Sequence, residues 1–279
     1  MQKSNMREAL GHIAILGGGN VGQALARGWL AAGKFRAADM TLTRRHVDKL
    51  AEFVGAGYNV SADNRAAVDR ARLVLVAVQP RQLNALLAEI REALDPRRHI
   101  LISVVSGVTI GQIYAVVGTK LAIVRAMPNT AIAIGESMTC LTASPEHGEA
   151  LQEAKTLFDT VGTTLEIEES MMEPATALCA CGVAFFLRSI RAASQGGIEI
   201  GFHPEEALLM AAQTARGAAS LLMREGSHPE SEIDRVTTPQ GCTIAGLNEM
   251  EHRGFSSAMI RGIVTSASKA VELYRPKSR

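Results

Sequence analysis

The stretch Ile13-Ala-Ile-Leu-Gly-Gly-Gly-Asn-Val-Gly22 decides the fold. Its four apolar residues are a run of strand length, and the glycines that stop it open a helix-like segment, 23–32. Gly17, Gly19 and Gly22 have the spacing of a dinucleotide-binding turn. In such a turn the first glycine makes the bend, the second lets a pyrophosphate approach the backbone, and the third lets helix and strand pack closely. Alone the pattern is weak, because an ordinary glycine turn reads the same. Its position between a strand and a helix gives it weight.

Working outward, Met40-Thr-Leu-Thr43 reads as a second strand and Arg72-Leu-Val-Leu-Val-Ala-Val78 as a buried one stopped by Gln79-Pro80. The runs 99–105 and 121–125 end at Ser106-Gly107 and Met127-Pro128. Strands alternating with helical segments indicate βαβ units, and their continuous apolarity indicates strands covered on both faces. After about Glu168 strand-like runs stop, and helical stretches at 171–195, 204–224 and 256–274 take over, rich in Ala, Met and Leu. The expected architecture is an α/β Rossmann domain with a doubly wound parallel sheet, 1–168, followed by an all-α domain, 169–279. The helical part is apolar enough to favour an intertwined homodimer over a free-standing bundle.

Composition bounds the function. The chain has 279 residues, 47% of them hydrophobic and 20% charged, with a formal charge of +1. Near-neutrality and the lack of a dense Lys/Arg cluster argue against a nucleic-acid surface. No apolar span of about twenty residues is evident, so no membrane association is expected. The start, Met1-Gln-Lys-Ser-Asn, is polar and has no signal-peptide core, which points to the cytoplasm. Cys140, Cys179, Cys181 and Cys242 form no CxxC pair and have no histidine at ligand spacing, so a metal site is not expected and small buried thiols are.

The end of the second strand speaks to the cofactor. An acid there would hold a ribose 2′-OH and repel a 2′-phosphate. This chain has Thr43-Arg44-Arg45 instead, and Asp39 falls before the strand. Two guanidiniums and a hydroxyl suit a phosphate monoester, favouring NADPH with NADH possible. A solvated helix start would also account for one of the arginines. Between Glu168 and Ser268 there is no lysine to serve as a proton donor, and no His–Asp pair stands out. His203 and His252 fall at helix breaks, where capping or exposure is the common role. A hydride cofactor without a strong acid fits an imine, which accepts hydride readily once protonated.

The segment Arg235-Val-Thr-Thr-Pro-Gln-Gly-Cys-Thr-Ile-Ala-Gly-Leu247 runs from a proline–glycine break into a helix-like run. It exposes backbone N–H groups and hydroxyls at a helix N-terminus, which suits a small carboxylate. It also resembles the substrate loop of pyrroline-5-carboxylate reductases. The resemblance runs from Ile13 to about Leu273 and includes Ile15–Gly22, Val76-Ala-Val-Gln-Pro80, Ser103–Ile110, Arg125-Ala-Met-Pro-Asn-Thr130 and Gly135–Thr139. It implies reduction of L-1-pyrroline-5-carboxylate, a small cyclic imino acid, to L-proline. It also implies that Gly17, Gly19, Asn20, Val21, Gly22, Thr43, Arg44, Arg45, Asn64, Ala77, Val78, Gln79 and Pro80 hold NADPH, with Met127, Pro128 and Asn129 beside the nicotinamide. Thr243 would hold the ring nitrogen, and Thr238, Gly241 and Cys242 the carboxylate. Dimers that assemble further, often into a decamer, are the family's habit.

Departures from the pattern leave alternatives open. Cys179-Ala-Cys-Gly-Val-Ala-Phe185 stands where the family has Ser-Gly-Ser-Gly-Pro-Ala-Tyr, Gln79 replaces a lysine, Gln240 a glycine and Ala131 a proline. A reductase of another ring, such as a piperideine carboxylate, a non-catalytic NADPH sensor and a structural oligomer are the other readings. For the 238–243 loop the competing reading is a helix N-cap made by Thr238 and Thr243.

Overall fold

The computed structural model describes residues 10–224 and 226–272. Its strands are β1 (Ile13–Leu16), β2 (Met40–Thr43), β3 (Asn59–Ser61), β4 (Leu73–Val76), β5 (Ile100–Ser103), β6 (Ala122–Met127), β7 (Ser137–Ala143) and β8 (Gly162–Glu166). They form one sheet in the order β3-β2-β1-β4-β5-β6-β7-β8. The strands from β3 across to β6 pair in parallel, as expected of a doubly wound sheet. Beyond them β7 runs antiparallel to β6, and β8 runs parallel to β7.

The continuous apolar runs are explained by the two faces of the sheet. Successive side chains of a strand point to opposite sides. Ile13 and Ile15 join one core with Trp29, Leu42 and Phe158, whereas Ala14 and Leu16 join another with Val74, Val76 and Leu87. Both faces are therefore covered, and β1, β2 and β4 are buried along their whole length. β1 lies between β2 and β4, so the strand order reverses beside it. Crevices at such a reversal, outside the strands' carboxyl ends, are where ligands bind in open α/β sheets.

After β8 no strand occurs among the described residues. The expected helix 171–195 is instead Met172–Ala175, a π-helical stretch Thr176–Ala180, and Gly182–Glu199. Thr176 donates its hydroxyl to the Met172 carbonyl at 2.8 Å, competing with the regular helical ladder at that point. Helices Pro204–Leu222, Pro229–Val236, Cys242–His252 and Phe255–Glu272 follow, and Tyr274 lies outside the described residues. His203 is the N-cap of Pro204–Leu222 and His252 ends Cys242–His252, as their positions at breaks suggested.

Compact packing defines two units, one running to Ala180 and taking in the chain again from Ser266, the other Cys181–Thr265. Within the second unit, Gly197 faces Ala207 closely enough that a Cβ on Gly197 would sit 3.0 Å from that of Ala207. Elsewhere its helices are poorly covered. Phe186, Leu187, Leu209 and Met223 are exposed, and Gly182–Glu199 buries only Gly182 and Ser194. Contrary to the expectation of no apolar span, the helical run Glu169–Glu199 is long and apolar enough to cross a membrane by length and composition alone. The same composition suits a helix that packs against other helices.

Candidate functional site

The glycine turn is built by close approach to the sheet. Gly17 has φ +115°, and a Cβ there would lie 2.5 Å from the Ala77 carbonyl oxygen. The N–H groups of Gly17 and Gly18 both donate to the Thr43 carbonyl, at 3.2 and 2.7 Å, tying the turn to the end of β2. A Cβ on Gly22 would fall 2.2 Å from the Gly17 carbonyl oxygen, so helix Asn20–Ala31 is seated directly on the turn. Above Gly19 there is open space within 4 Å. Gly19 is the N-cap of that helix, whose first turn carries no acid and whose cap has no side-chain bond. Its amides are therefore free to receive an anion, and the positive end of the helix dipole adds to the attraction.

Next to the turn lies a cavity of about 680 Å³. It brings together Gly17, Gly19, Thr43, Arg44, Arg45, Asn64, Ala77, Val78 and Gln79 of the expected cofactor residues. Asn20, Val21 and Gly22 belong to the adjoining helix, and Pro80 opens the 3-10 turn Pro80–Gln82; none of these four lines the cavity. The walls also include His46, Arg81, Gln82, Ala85, Leu86 and Glu89, which the sequence reading missed. Arg81, Ala85 and Glu89 recur at four-residue spacing on the stretch that follows β4, and that spacing was the available signal.

The polar groups of this cavity are linked. Thr43 donates its hydroxyl to Asn64 Oδ1 at 2.6 Å, and Asn64 Nδ2 donates to the two Glu89 carboxylate oxygens at 3.0 and 3.2 Å. Arg44 donates from its guanidinium to the Gly18 carbonyl at 2.9 Å, bracing the glycine turn, while Arg45 is exposed. A dinucleotide with a pyrophosphate and a 2′-phosphate fits this donor set: free helix amides at one end and guanidiniums at the other.

Met127, Pro128 and Asn129 are buried and do not line that cavity. The Asn129 side chain is occupied: its Oδ1 accepts from the Ala131 N–H at 3.0 Å, and its Nδ2 donates to the Cys179 carbonyl at 3.3 Å. Just before them, Arg125 is fully buried and forms ion pairs with Glu169 at 3.2 Å and Glu173 at 3.3 Å. The expectation of four buried thiols fails in part. Cys140 is buried, Cys179 and Cys181 are half-buried, and Cys242 is exposed because it lies in the first turn of an uncovered helix. Cys140 and Cys179 approach to 3.9 Å between sulfurs. The hydrogen bond from Cys140 lowers the Cys179 thiol to about 7, and that same contact, together with burial, pushes Cys140 up.

The loop 238–243 belongs to the helical unit. Gly241 is the N-cap of Cys242–His252, and a Cβ on it would lie 2.5 Å from Thr238 Oγ1. Gln240, before it, has φ 60°, the only positive φ at a non-glycine among the described residues. No side chain caps this helix, and its first turn has no acid. The N-cap alternative for Thr238 and Thr243 is therefore not realised. Thr238 and Cys242 are exposed and Thr243 is half-buried. The neighbouring Thr237 hydroxyl, by contrast, is spent on the Ile233 carbonyl at 2.8 Å.

A doubly wound sheet with a sealed glycine turn at its strand-order reversal defines the class as dinucleotide-dependent oxidoreductases. Residues 12–107 match the family model "NADP oxidoreductase coenzyme F420-dependent", and residues 169–273 match "Pyrroline-5-carboxylate reductase dimerisation". Pyrroline-5-carboxylate reductase 2 of Dictyostelium discoideum is 46% identical over 93% of this chain and 92% of its own length. Pyrroline-5-carboxylate reductase 1 of the same organism is 50% identical over 96% of this chain and 50% of its own, so this chain spans about half the length of that relative. The crystal structure of Plasmodium falciparum pyrroline carboxylate reductase with NADP bound shares the fold, with a TM-score of 0.85 at 22% identity, covering 95% of this chain and 98% of that one. The chain belongs to the pyrroline-5-carboxylate reductase family.

Proposed function

We propose that this chain reduces L-1-pyrroline-5-carboxylate to L-proline with NADPH. The observation that carries the reading is the 238–243 loop, where an uncapped helix N-terminus without acids stands beside the hydroxyls of Thr238 and Thr243. Those groups suit a ring bearing a carboxylate and a nitrogen. The amides after Gly241 hold the carboxylate, with Thr238 and Cys242 beside it, and the Thr243 hydroxyl holds the ring nitrogen. The cofactor residues are those named from the sequence, Gly17 to Asn129, now joined by the cavity walls Arg81 and Glu89. When bound, NADPH supplies the hydride that converts the protonated C=N to an amine. The protein's part is positioning and preorganised polarity, with no strong acid required.

We further propose that 1–168 is the cofactor domain and that 169–279 carries the substrate loop and the homodimer contact. The exposed apolar side chains Phe186, Leu187, Leu209 and Met223 support such a contact, since uncovered apolar surface of this kind is characteristic of interfaces. A decamer built from such dimers, a cytoplasmic location, and no nucleic-acid or membrane partner complete the proposal.

The test is NADPH consumption with pyrroline-5-carboxylate, run in parallel with NADH and with the six-membered piperideine carboxylate. Thr243→Ala is expected to lower kcat/KM roughly ten- to a hundredfold, the loss of one hydrogen bond to a charged group. Wild-type kinetics in that variant would remove Thr243 from its role. Faster turnover of the six-membered ring would reassign the substrate.

A further inference from the structure

The usual mark of NADH use is an acid at the end of the second strand, and the residues there are Thr43, Arg44 and Arg45. The fold nevertheless delivers an acid to that place from a distant helix. Glu89 lies on Leu83–Ile90, whose Leu83, Leu86, Leu87 and Ile90 are buried in the core beneath. It is turned instead toward the cavity and reaches Thr43 through a single intervening side chain, the Asn64 amide. Among the described residues that neutral amide is its hydrogen-bonding partner, and no ion pair is formed with it. Arg44, Arg45 and Arg81 line the same walls without bridging it.

From this juxtaposition we propose that Glu89 is a cofactor-specificity residue, which weakens the hold on a 2′-phosphate and so admits the dinucleotide that lacks one. Glu89 is exposed and has no cationic partner among the described residues, so its carboxylate repels a phosphate placed beside Thr43 by direct, salt-screened Coulomb interaction. It costs a ribose 2′-OH nothing, because a hydroxyl can donate to a carboxylate. Glu89 also engages the Asn64 amide nitrogen, leaving it less able to donate to a phosphate. The inference rests on the cofactor reading above and concerns the discrimination between the two nicotinamide dinucleotides at that same site.

Glu89→Gln is the informative variant. It removes the charge and keeps a carbonyl oxygen for Asn64, and Glu89→Ala also releases the amide. Dissociation constants of NADP+ and NAD+ for the full chain, measured by calorimetry, give a readout apart from turnover. In Glu89→Gln, NADP+ is expected to bind about tenfold more tightly while NAD+ changes less than about twofold. The gain should shrink as salt rises from low to physiological strength, because the repulsion is Coulombic. An unchanged NADP+/NAD+ ratio, an equal gain for both, or weaker NADP+ binding in both variants would overturn the proposal. The last result would make Glu89 a prop for Asn64. If the wild-type chain binds neither dinucleotide, the cofactor reading itself falls, and this inference falls with it.

Discussion

Two loops of this chain place a residue in the left-handed backbone region just before a helix, and they do it with different residues. The turn after β1 uses Gly17 at φ +115°, whereas the loop before Cys242–His252 uses Gln240 at φ 60°. Around Gly17 there is no room: the Ala77 carbonyl occupies the space a Cβ would need, and the Thr43 carbonyl takes two N–H groups of the turn. Gln240 is exposed, and the residue that meets close contact in its loop is Gly241. Glycine is therefore enforced by proximity at Gly17 and Gly241, and dihedral angle alone does not enforce it at 240. The first loop is sealed against β1, β2 and β4, strands that are wholly buried. The second stands on helices with large apolar side chains in solvent.

The largest expected effect tests the sealed loop. Gly17→Ala combines left-handed strain with overlap on Ala77, at a cost of about 3 to 5 kcal/mol. Chemical denaturation of the purified variant would measure it. Cofactor affinity should fall on the order of a hundredfold as the turn opens, equivalent to about 2.8 kcal/mol. A stable variant that binds NADPH normally would show that the turn has slack, erasing the contrast with Gln240.

What could be read from the sequence divides along the same line. The glycine turn was legible because strand, glycines and helix are contiguous and each glycine answers to a local contact. β7 and β8 were not. Ser137-Met-Thr-Cys-Leu-Thr-Ala143 mixes threonines and a thiol into a strand that runs against its neighbour, and Gly162–Glu166 is a largely uncovered edge. β3 spans only Asn59–Ser61 and is half-buried. Asn64 came from the family resemblance, but Glu89 did not emerge. It reads as an ordinary polar residue on an amphipathic helix until the fold brings that helix beside Asn64. The helical stretches were legible in outline, while the π-helical stretch at Thr176–Ala180 was not. At its start Thr176 spends its hydroxyl on the Met172 carbonyl, a side-chain bond to the backbone that periodicity does not register.

An intermediate effect is expected at Arg125, which secures the segment leading to Met127, Pro128 and Asn129. Its guanidinium is 1% exposed and meets Glu169 and Glu173, whose side chains are 35% and 17% exposed. Removing one member of a fully buried pair costs about 3 to 5 kcal/mol, because the remaining charge is stranded. Here both carboxylates retain access to water, and Glu169 keeps a 2.6 Å hydrogen bond from the Ile110 N–H. Arg125→Met should therefore cost less, about 2 to 3 kcal/mol, measured as a shift in denaturation midpoint at constant slope. A cost near zero would mean that packing alone fixes the segment. The sealed side of the molecule would then owe its rigidity to apolar contacts and not to this charge cluster.

The smallest effect concerns the open loop, and its sign carries the information. Gln240→Gly removes the strain of a left-handed non-glycine residue, about 1 to 2 kcal/mol. It also loosens the unfolded chain, which offsets about 0.4 to 1 kcal/mol of that gain. The net expectation is a variant more stable by up to about 1.5 kcal/mol, seen as a modest rise in Tm with kcat/KM for the imine nearly unchanged. That outcome would make Gln240 a tolerated cost on an uncrowded surface, consistent with its exposure. A variant that gains stability and loses kcat/KM would mean something else: the strain, or the glutamine side chain itself, holds the amides after Gly241 in the posture the substrate carboxylate needs. Gln240 would then join Thr238 and Thr243 as a residue that positions the substrate, and the open loop would prove as exacting as the sealed one.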